Sequence, residues 1–186
     1  MNITVYCGAA LGNQDSFYKS AVELGKWIAE RNDTLVYGGG KAGLMGVVAN
    51  TVLQFGGKVI GVIPEFLQKR ELVHTGLSEI FVVQSMTERK KLMIEKGDVY
   101  IALPGGPGTL EEISEVISWA RIGQNNNPCI LFNQNGYYEP LKEMYDLMVK
   151  KDFLTQSDRE KILFSENLAE IEQFIENYVP PAVRQY

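Results

Sequence analysis

Short apolar runs alternate along the chain with stretches whose apolar residues recur every three or four positions. The runs at 3–7, 34–37, 58–63, 80–83, 98–103, 129–132 and 162–164 read as strands, several apolar enough to be covered on both faces. Between the first two, residues 16–30 place Phe17, Ala21, Leu24, Trp27 and Ile28 on one helical face. The same period predicts helices over 44–55, 87–96, about 109–121, 140–150 and 169–178. Gly56-Gly57 stops the second helix and Pro64 the third strand. Residues 65–79 carry no period and read as irregular. No repeat or low-complexity segment interrupts the pattern.

This alternation predicts an α/β fold: a doubly wound, mostly parallel, Rossmann-like sheet of about six or seven strands with helices on both faces. One domain is expected across residues 1–186. Sheets of this kind bind ligands beyond the carboxyl ends of their strands. The unusual residues gather at those ends: Cys7-Gly8-Ala9-Ala10, Gly38-Gly39-Gly40, Pro64-Glu65, residues 85–90, and Pro104-Gly105-Gly106-Pro107-Gly108-Thr109.

The last of these joins a strand to a helix. Its glycines let the backbone approach a ligand, and the unpaired N–H groups and dipole of the new helix favour an anion such as phosphate. A second reading stays open. Thr109-Leu110-Glu111-Glu112 fits a capping box, with Thr109 as N-cap and Glu112 three residues on.

Composition narrows the chemistry. The 186 residues are 45% hydrophobic and 22% charged, with a net charge of −5. That balance, with no Lys/Arg block, argues against a broad nucleic-acid or anionic-membrane surface. No apolar run has the length of a membrane span, and the first residues read as a strand rather than a signal peptide. Cys7 and Cys129 lack metal-ligand spacing, so a reduced, cytoplasmic chain is expected. His74 is the only histidine, which disfavours zinc hydrolase motifs and histidine triads. It reads as a surface or hydrogen-bonded residue. No metal site is expected, and acid–base work falls to carboxylates, lysine, tyrosine or water.

Arg89 and Lys90 stand near the start of a predicted helix, where cations oppose the dipole. A bound anion would resolve the conflict, and Arg89 suits a two-pronged grip on phosphate or carboxylate. A solvated charged face is the alternative. Gly38 to Gly43 contains G-x-G-x-x-G, which keeps an NAD-binding oxidoreductase in view. The usual fingerprint, however, follows the first strand of its unit, and this one follows the second. Ala42 after Lys41 rules out a P-loop. Cys7 reads as a small buried side chain, and Tyr137-Tyr138 as a core anchor for a helix start.

Pro104, Gly105, Gly106, Gly108, Thr109 and Glu112 together match P-G-G-x-G-T-x-x-E. With Cys7-Gly8, Gly38-Gly39-Gly40, Gly43-Leu44-Met45-Gly46, Gly61-Val62-Ile63-Pro64, Glu88-Arg89-Lys90 and residues 115–120, the chain resembles the Lonely Guy family over nearly its whole length. The resemblance implies a phosphoribohydrolase. It would cleave cytokinin riboside 5′-monophosphates, and AMP, to an adenine-type base and ribose 5-phosphate. It further implies a homodimer with active sites near the subunit interface. By motif position, Arg89 and Glu112 carry over as catalytic. Lys90, Gly105, Gly106, Pro107, Gly108, Thr109, Leu110 and Glu111 carry over as substrate contacts, with Gly39, Gly40, Glu71 and Ser118. The chain departs from the family pattern at Ala9-Ala10, Thr87, Pro107 and Ser118. The family is often labelled lysine decarboxylase-like, but that chemistry needs pyridoxal phosphate on a lysine. No lysine here has such a context, so no cofactor is expected. A nucleotide carrier without turnover remains the rival from another class.

Overall fold

The computed structural model describes residues 1–68 and 73–183. Among the described residues seven strands form one sheet: β1 (Asn2–Tyr6), β2 (Thr34–Tyr37), β3 (Lys58–Pro64), β4 (Glu79–Val83), β5 (Val99–Ala102), β6 (Cys129–Phe132) and β7 (Ile162–Ser165). Their order is β4-β3-β2-β1-β5-β6-β7, and every pairing is parallel.

Side-chain alternation explains why the central strands are apolar throughout. In β1, Ile3 and Val5 enter the core on one face and Tyr6 enters the other. The first face is covered by α1 (Asp15–Glu30), α2 (Gly43–Gln54) and α8 (Leu168–Glu176). The second lies under α4 (Met86–Lys96), α5 (Pro107–Arg121) and α6 (Glu139–Lys150). Thr4 faces the second layer, where its hydroxyl donates to the Met93 carbonyl at 3.2 Å. Burying a hydroxyl without such a partner would cost about 1–3 kcal/mol.

Three local expectations change. The segment after β3 opens with a short helix, α3 (Glu65–Gln68), and another, α7 (Gln156–Arg159), precedes β7. Both are too short to show a period. The helix expected from about residue 109 starts at Pro107, with Gly106 as N-cap. Proline suits the first helical position because its φ is already helical and its missing N–H is one the helix leaves unpaired. Thr109 therefore lies inside the first turn and is buried. This overturns the Thr109–Glu112 capping box. A related cap forms one helix earlier, with the carboxylate reaching one residue further back than in a capping box. The Ser85 hydroxyl accepts from Glu88 N–H at 3.1 Å, and the Glu88 carboxylate accepts from Gln84 N–H at 2.8 Å.

The chain runs outward from β1 to β4, then returns to the other side of β1 with β5. The carboxyl ends of β1 and β5 therefore flank the point where strand order reverses, the usual place for a ligand crevice. Among the described residues no helix is long and apolar enough to cross a membrane.

Candidate active site

At that reversal point the loop after β5 is tied down carbonyl by carbonyl. The Leu103 carbonyl accepts from the Tyr138 hydroxyl at 2.7 Å, and that of Pro104 from Gly8 N–H at 3.1 Å. The Gly105 carbonyl accepts from the Tyr137 hydroxyl at 2.5 Å, and that of Gly106 from Leu110 N–H at 3.2 Å. By contrast, among the described residues no backbone carbonyl takes the N–H groups of Gly108 and Thr109 at the start of α5. Donors left open and acceptors filled make an anion-binding helix start. Gly105 has no room for a side chain. An added Cβ would lie 2.2 Å from Thr109 Oγ1 and 2.9 Å from Gly8 N.

A pocket of about 280 Å³ opens beside this loop. Gly106, Gly108, Thr109, Glu111 and Glu112 line it from α5 and its loop, and Arg89 lines it from α4. Arg89 Nη1 lies 3.3 Å from Glu112 Oε1, with side chains only 12% and 10% exposed. The guanidinium is also fixed by its Nε, which donates to the Val62 carbonyl at 3.2 Å. Gly38 makes room for it, since a Cβ there would sit 2.2 Å from Nη2. Glu112 Oε1 accepts no hydrogen bond among the described residues, so the contact with Arg89 is electrostatic rather than directed. Burial raises the Glu112 pKa above the usual carboxylate value, with Arg89 pulling the other way.

Lys90, the next residue, turns to the outer side of α5. Its Nζ lies 2.8 Å from Glu111 Oε1 and 3.2 Å from Glu115 Oε2. The hydrogen bond that Lys90 donates to Glu111 raises its pKa. The conflict between two cations and the start of α4 is thus answered in part by carboxylates of α5.

The remaining expected site residues divide. Gly105, Pro107 and Leu110 line separate clefts on the outer side of the loop. Gly39 and Gly40 are joined to the returning segment: the Gly39 carbonyl accepts from His74 N–H, and Gly40 bridges Val73. Ser118 lines a separate cavity at the amino-terminal ends of β6 and β7, with Cys129 and Ile162. Glu71 lies outside the described residues.

Of the glycines in the G-x-G-x-x-G stretch, Gly38 makes room for Arg89, Gly40 bridges Val73, and Gly43 lets the start of α2 pack against the loop after β1. Gly43 has φ +59, and a Cβ on it would stand 2.2 Å from the Ala9 carbonyl carbon. The N–H groups of Leu44 and Met45, the second and third residues of α2, go to the Gly8 carbonyl at 3.0 and 3.4 Å. Two of the donors that a dinucleotide pyrophosphate would need at this helix start are thus taken by backbone. His74 is hydrogen-bonded as expected. Its Nδ1 accepts from Gly76 N–H and its Nε2 pairs with Asn50 Oδ1 at 2.8 Å. Cys7 is buried, and burial pushes its thiol pKa up.

Four residues here were not among the expected site residues. Met45, Leu67 and Met86 form an apolar wall of the pocket; Met45 and Met86 fall in stretches that the pattern singled out without giving them a role, and Leu67 falls in the segment that reads as irregular. Tyr138 is the core anchor that was expected, but Tyr137 is not. It is 41% exposed, it reaches the loop, and its distance in sequence from the motif hid the link.

Fold and site together define a doubly wound α/β protein with a loop of open N–H groups and a buried Arg–Glu pair at the point of strand reversal. Solved structures agree on the fold. The molybdenum cofactor binding protein of Rippkaea orientalis superposes with a TM-score of 0.70 at 20% identity, covering 94% of each chain. The Moco carrier protein of Chlamydomonas reinhardtii gives 0.70 at 19%, over 95% of this chain and 98% of that one. Family comparison is more specific. A model described as "possible lysine decarboxylase" matches residues 45–175. The chain is 44% identical to "Cytokinin riboside 5′-monophosphate phosphoribohydrolase LOG" of Oryza sativa subsp. japonica, over 96% of this chain and 74% of that protein. It is 44% identical to a phosphoribohydrolase of the same name from Rhodococcoides fascians, over 90% and 85%, and 42% identical to LOG1 of Arabidopsis thaliana, over 96% and 84%. The chain belongs to this family, the Lonely Guy phosphoribohydrolases.

Proposed function

We propose that the protein hydrolyses the N-glycosidic bond of cytokinin riboside 5′-monophosphates and of AMP, releasing the adenine-type base and ribose 5-phosphate. The observation that carries this reading is the buried Arg89–Glu112 pair set within one pocket beside a loop of open N–H groups. The loop holds the 5′-phosphate, and the apolar side chains of Met45, Leu67 and Met86 suit the base. Breaking the C1′–N9 bond builds positive charge on the ribose, which a carboxylate stabilises. Glu112, with a buried oxygen free of hydrogen bonds, is the group for that task and for taking a hydrogen bond from a ribose hydroxyl or from water. Arg89 orients the nucleotide and balances the carboxylate. Water supplies the hydroxyl that ends on C1′ and, overall, the proton that leaves with the base. Fixing the phosphate lets binding energy remote from the bond orient the ribose.

The reading includes one domain over residues 1–186, a cytoplasmic location and a homodimer. The dimer follows from the substrate role that the family resemblance gives Ser118. It lies six residues past Glu112, about 9 Å along the helix axis, and lines the far cavity. For Ser118 to touch the nucleotide it has to come from a second copy. Antiparallel pairing of two α5 helices about residues 114–115 would bring it opposite Glu111, as two-fold symmetry allows. Light scattering should then read a mass of two chains.

The test of the reaction is a panel of AMP, N6-isopentenyl AMP and adenosine, with free base followed by chromatography. Base is expected from the two monophosphates and little from adenosine. Tight binding of AMP without release of adenine would leave a carrier instead.

A further inference from the structure

The loop after β5 has all four carbonyls from Leu103 to Gly106 turned to donors of the protein. This matters for an anion site, because one carbonyl oxygen facing the pocket would repel what the N–H groups attract. Three of the four donors come with the fold. Gly8 N–H belongs to the end of β1, Leu110 N–H to the first turn of α5, and the Tyr138 hydroxyl to the core. The fourth, the Tyr137 hydroxyl on Gly105, is a side chain at the surface.

Peptide geometry gives that contact a consequence. All peptides here are trans, so the carbonyl of Gly105 and the N–H of Gly106 point in opposite directions. Holding the carbonyl outward on Tyr137 aims the Gly106 N–H to the other side. Gly106 borders both the pocket that holds Arg89 and Glu112 and the outer clefts, whereas Gly105 and Tyr137 border the outer clefts and not that pocket. The pinned unit joins two glycines, with no Cβ on either side to resist a flip. Tyr137 is itself held in place. Its ring meets Phe17 of α1 edge-on at 5.5 Å and Tyr138 at 5.0 Å.

We propose that Tyr137 is a positioning residue for the phosphate loop: its hydroxyl keeps the Gly105–Gly106 peptide in the orientation that presents an N–H to the 5′-phosphate. It touches no reacting atom and lies outside the glycine motif. The inference rests on the reading of the loop as the phosphate site.

Tyr137→Phe in the whole protein tests it, because the ring contacts survive and only the hydroxyl goes. Calorimetric titration with ribose 5-phosphate should show affinity about three- to tenfold weaker, the worth of one hydrogen bond. KM for AMP should rise by a similar factor while kcat holds. The melting temperature should stay near that of the wild type. Tyr138→Phe is the contrast: its carbonyl lies in the core, so it should lower the melting temperature and leave the kcat-to-KM pattern unchanged. Equal ribose 5-phosphate affinity in Tyr137→Phe and wild type would overturn the proposal, as would a wild type that binds no ribose 5-phosphate. A wild type that binds ribose 5-phosphate but leaves AMP intact would remove the hydrolase reading alone. The Tyr137→Phe comparison would then still decide the loop.

Discussion

Arg89 and Lys90 are neighbours on α4, and each meets a carboxylate of α5, yet the two contacts differ in kind. Arg89 and Glu112 are both nearly buried, whereas Glu111, the partner of Lys90, is 60% exposed. Lys90 sits 2.8 Å from its carboxylate in a directed hydrogen bond. Arg89 sits 3.3 Å from Glu112 without one, its guanidinium set by the bond from Nε to the Val62 carbonyl. The outer cation ties two helices together and also reaches Glu115, whose Oε2 is buried without a hydrogen bond just as Glu112 Oε1 is. What sets the inner pair apart is its place: Arg89 and Glu112 line the pocket beside the loop, and burial raises the proton affinity of Glu112 against the pull of Arg89. Perturbed carboxylates in a pocket are where function concentrates. Adjacent residues of the same sign thus end up as an outer latch and as lining of the pocket.

Glu112→Gln should separate the two most sharply. Turnover of AMP should fall by about 10²–10⁴-fold, the range for a positioned acid–base or ion-stabilising group, with nucleotide binding retained. Burial raises the Glu112 pKa, so its ionised fraction declines at a higher pH than that of an exposed glutamate. If the ionised form is the active one, the rate falls on the acid side from that higher pH, and Glu112→Gln should flatten this limb. Initial rates of adenine release across pH check both points. Turnover near the wild-type value would take Glu112 out of the chemistry.

Gly38→Ala should come next. Its methyl would stand 2.2 Å from Arg89 Nη2 and push the guanidinium off Glu112. Displacement of about 1 Å costs on the order of 100-fold in rate. The φ of Gly38 is not in the left-handed region, so the backbone accepts alanine, and melting should confirm a folded variant. A rate within about twofold of wild type would show that Arg89 needs no fixed place.

The outer pair should matter least. Lys90→Met should raise KM for AMP by roughly three- to tenfold through the lost cation near the loop. Glu111→Gln should change stability by no more than about 1 kcal/mol, as an exposed ion pair does. Thermal melts and steady-state kinetics read these. A larger loss from Glu111→Gln than from Gly38→Ala would invert the comparison.

Much of this was legible before any coordinates. Apolar runs at 3–7, 34–37 and 129–132 became buried parallel strands, because a strand covered on both faces cannot alternate with polar residues. The glycine loop was legible because helix starts after strands present unpaired N–H groups whatever the rest of the chain does. The start of α5 was misplaced by two residues. The Thr109 to Glu112 spacing imitates a capping box, and Pro107 competes for the first helical position.

The local order of polar and apolar side chains determined the α/β alternation, the strand-end location of the unusual residues and the family motif. Those properties depend on neighbours within a few positions. The tertiary structure alone decided that Arg89 turns inward and Lys90 outward, that Glu112 is buried without a hydrogen bond, and that Tyr137 reaches Gly105 from 32 residues away. Such choices follow from where α4, α5 and the start of α6 lie over the sheet. No periodicity encodes the space that Gly38 leaves for a guanidinium, or the direction of a peptide between two glycines.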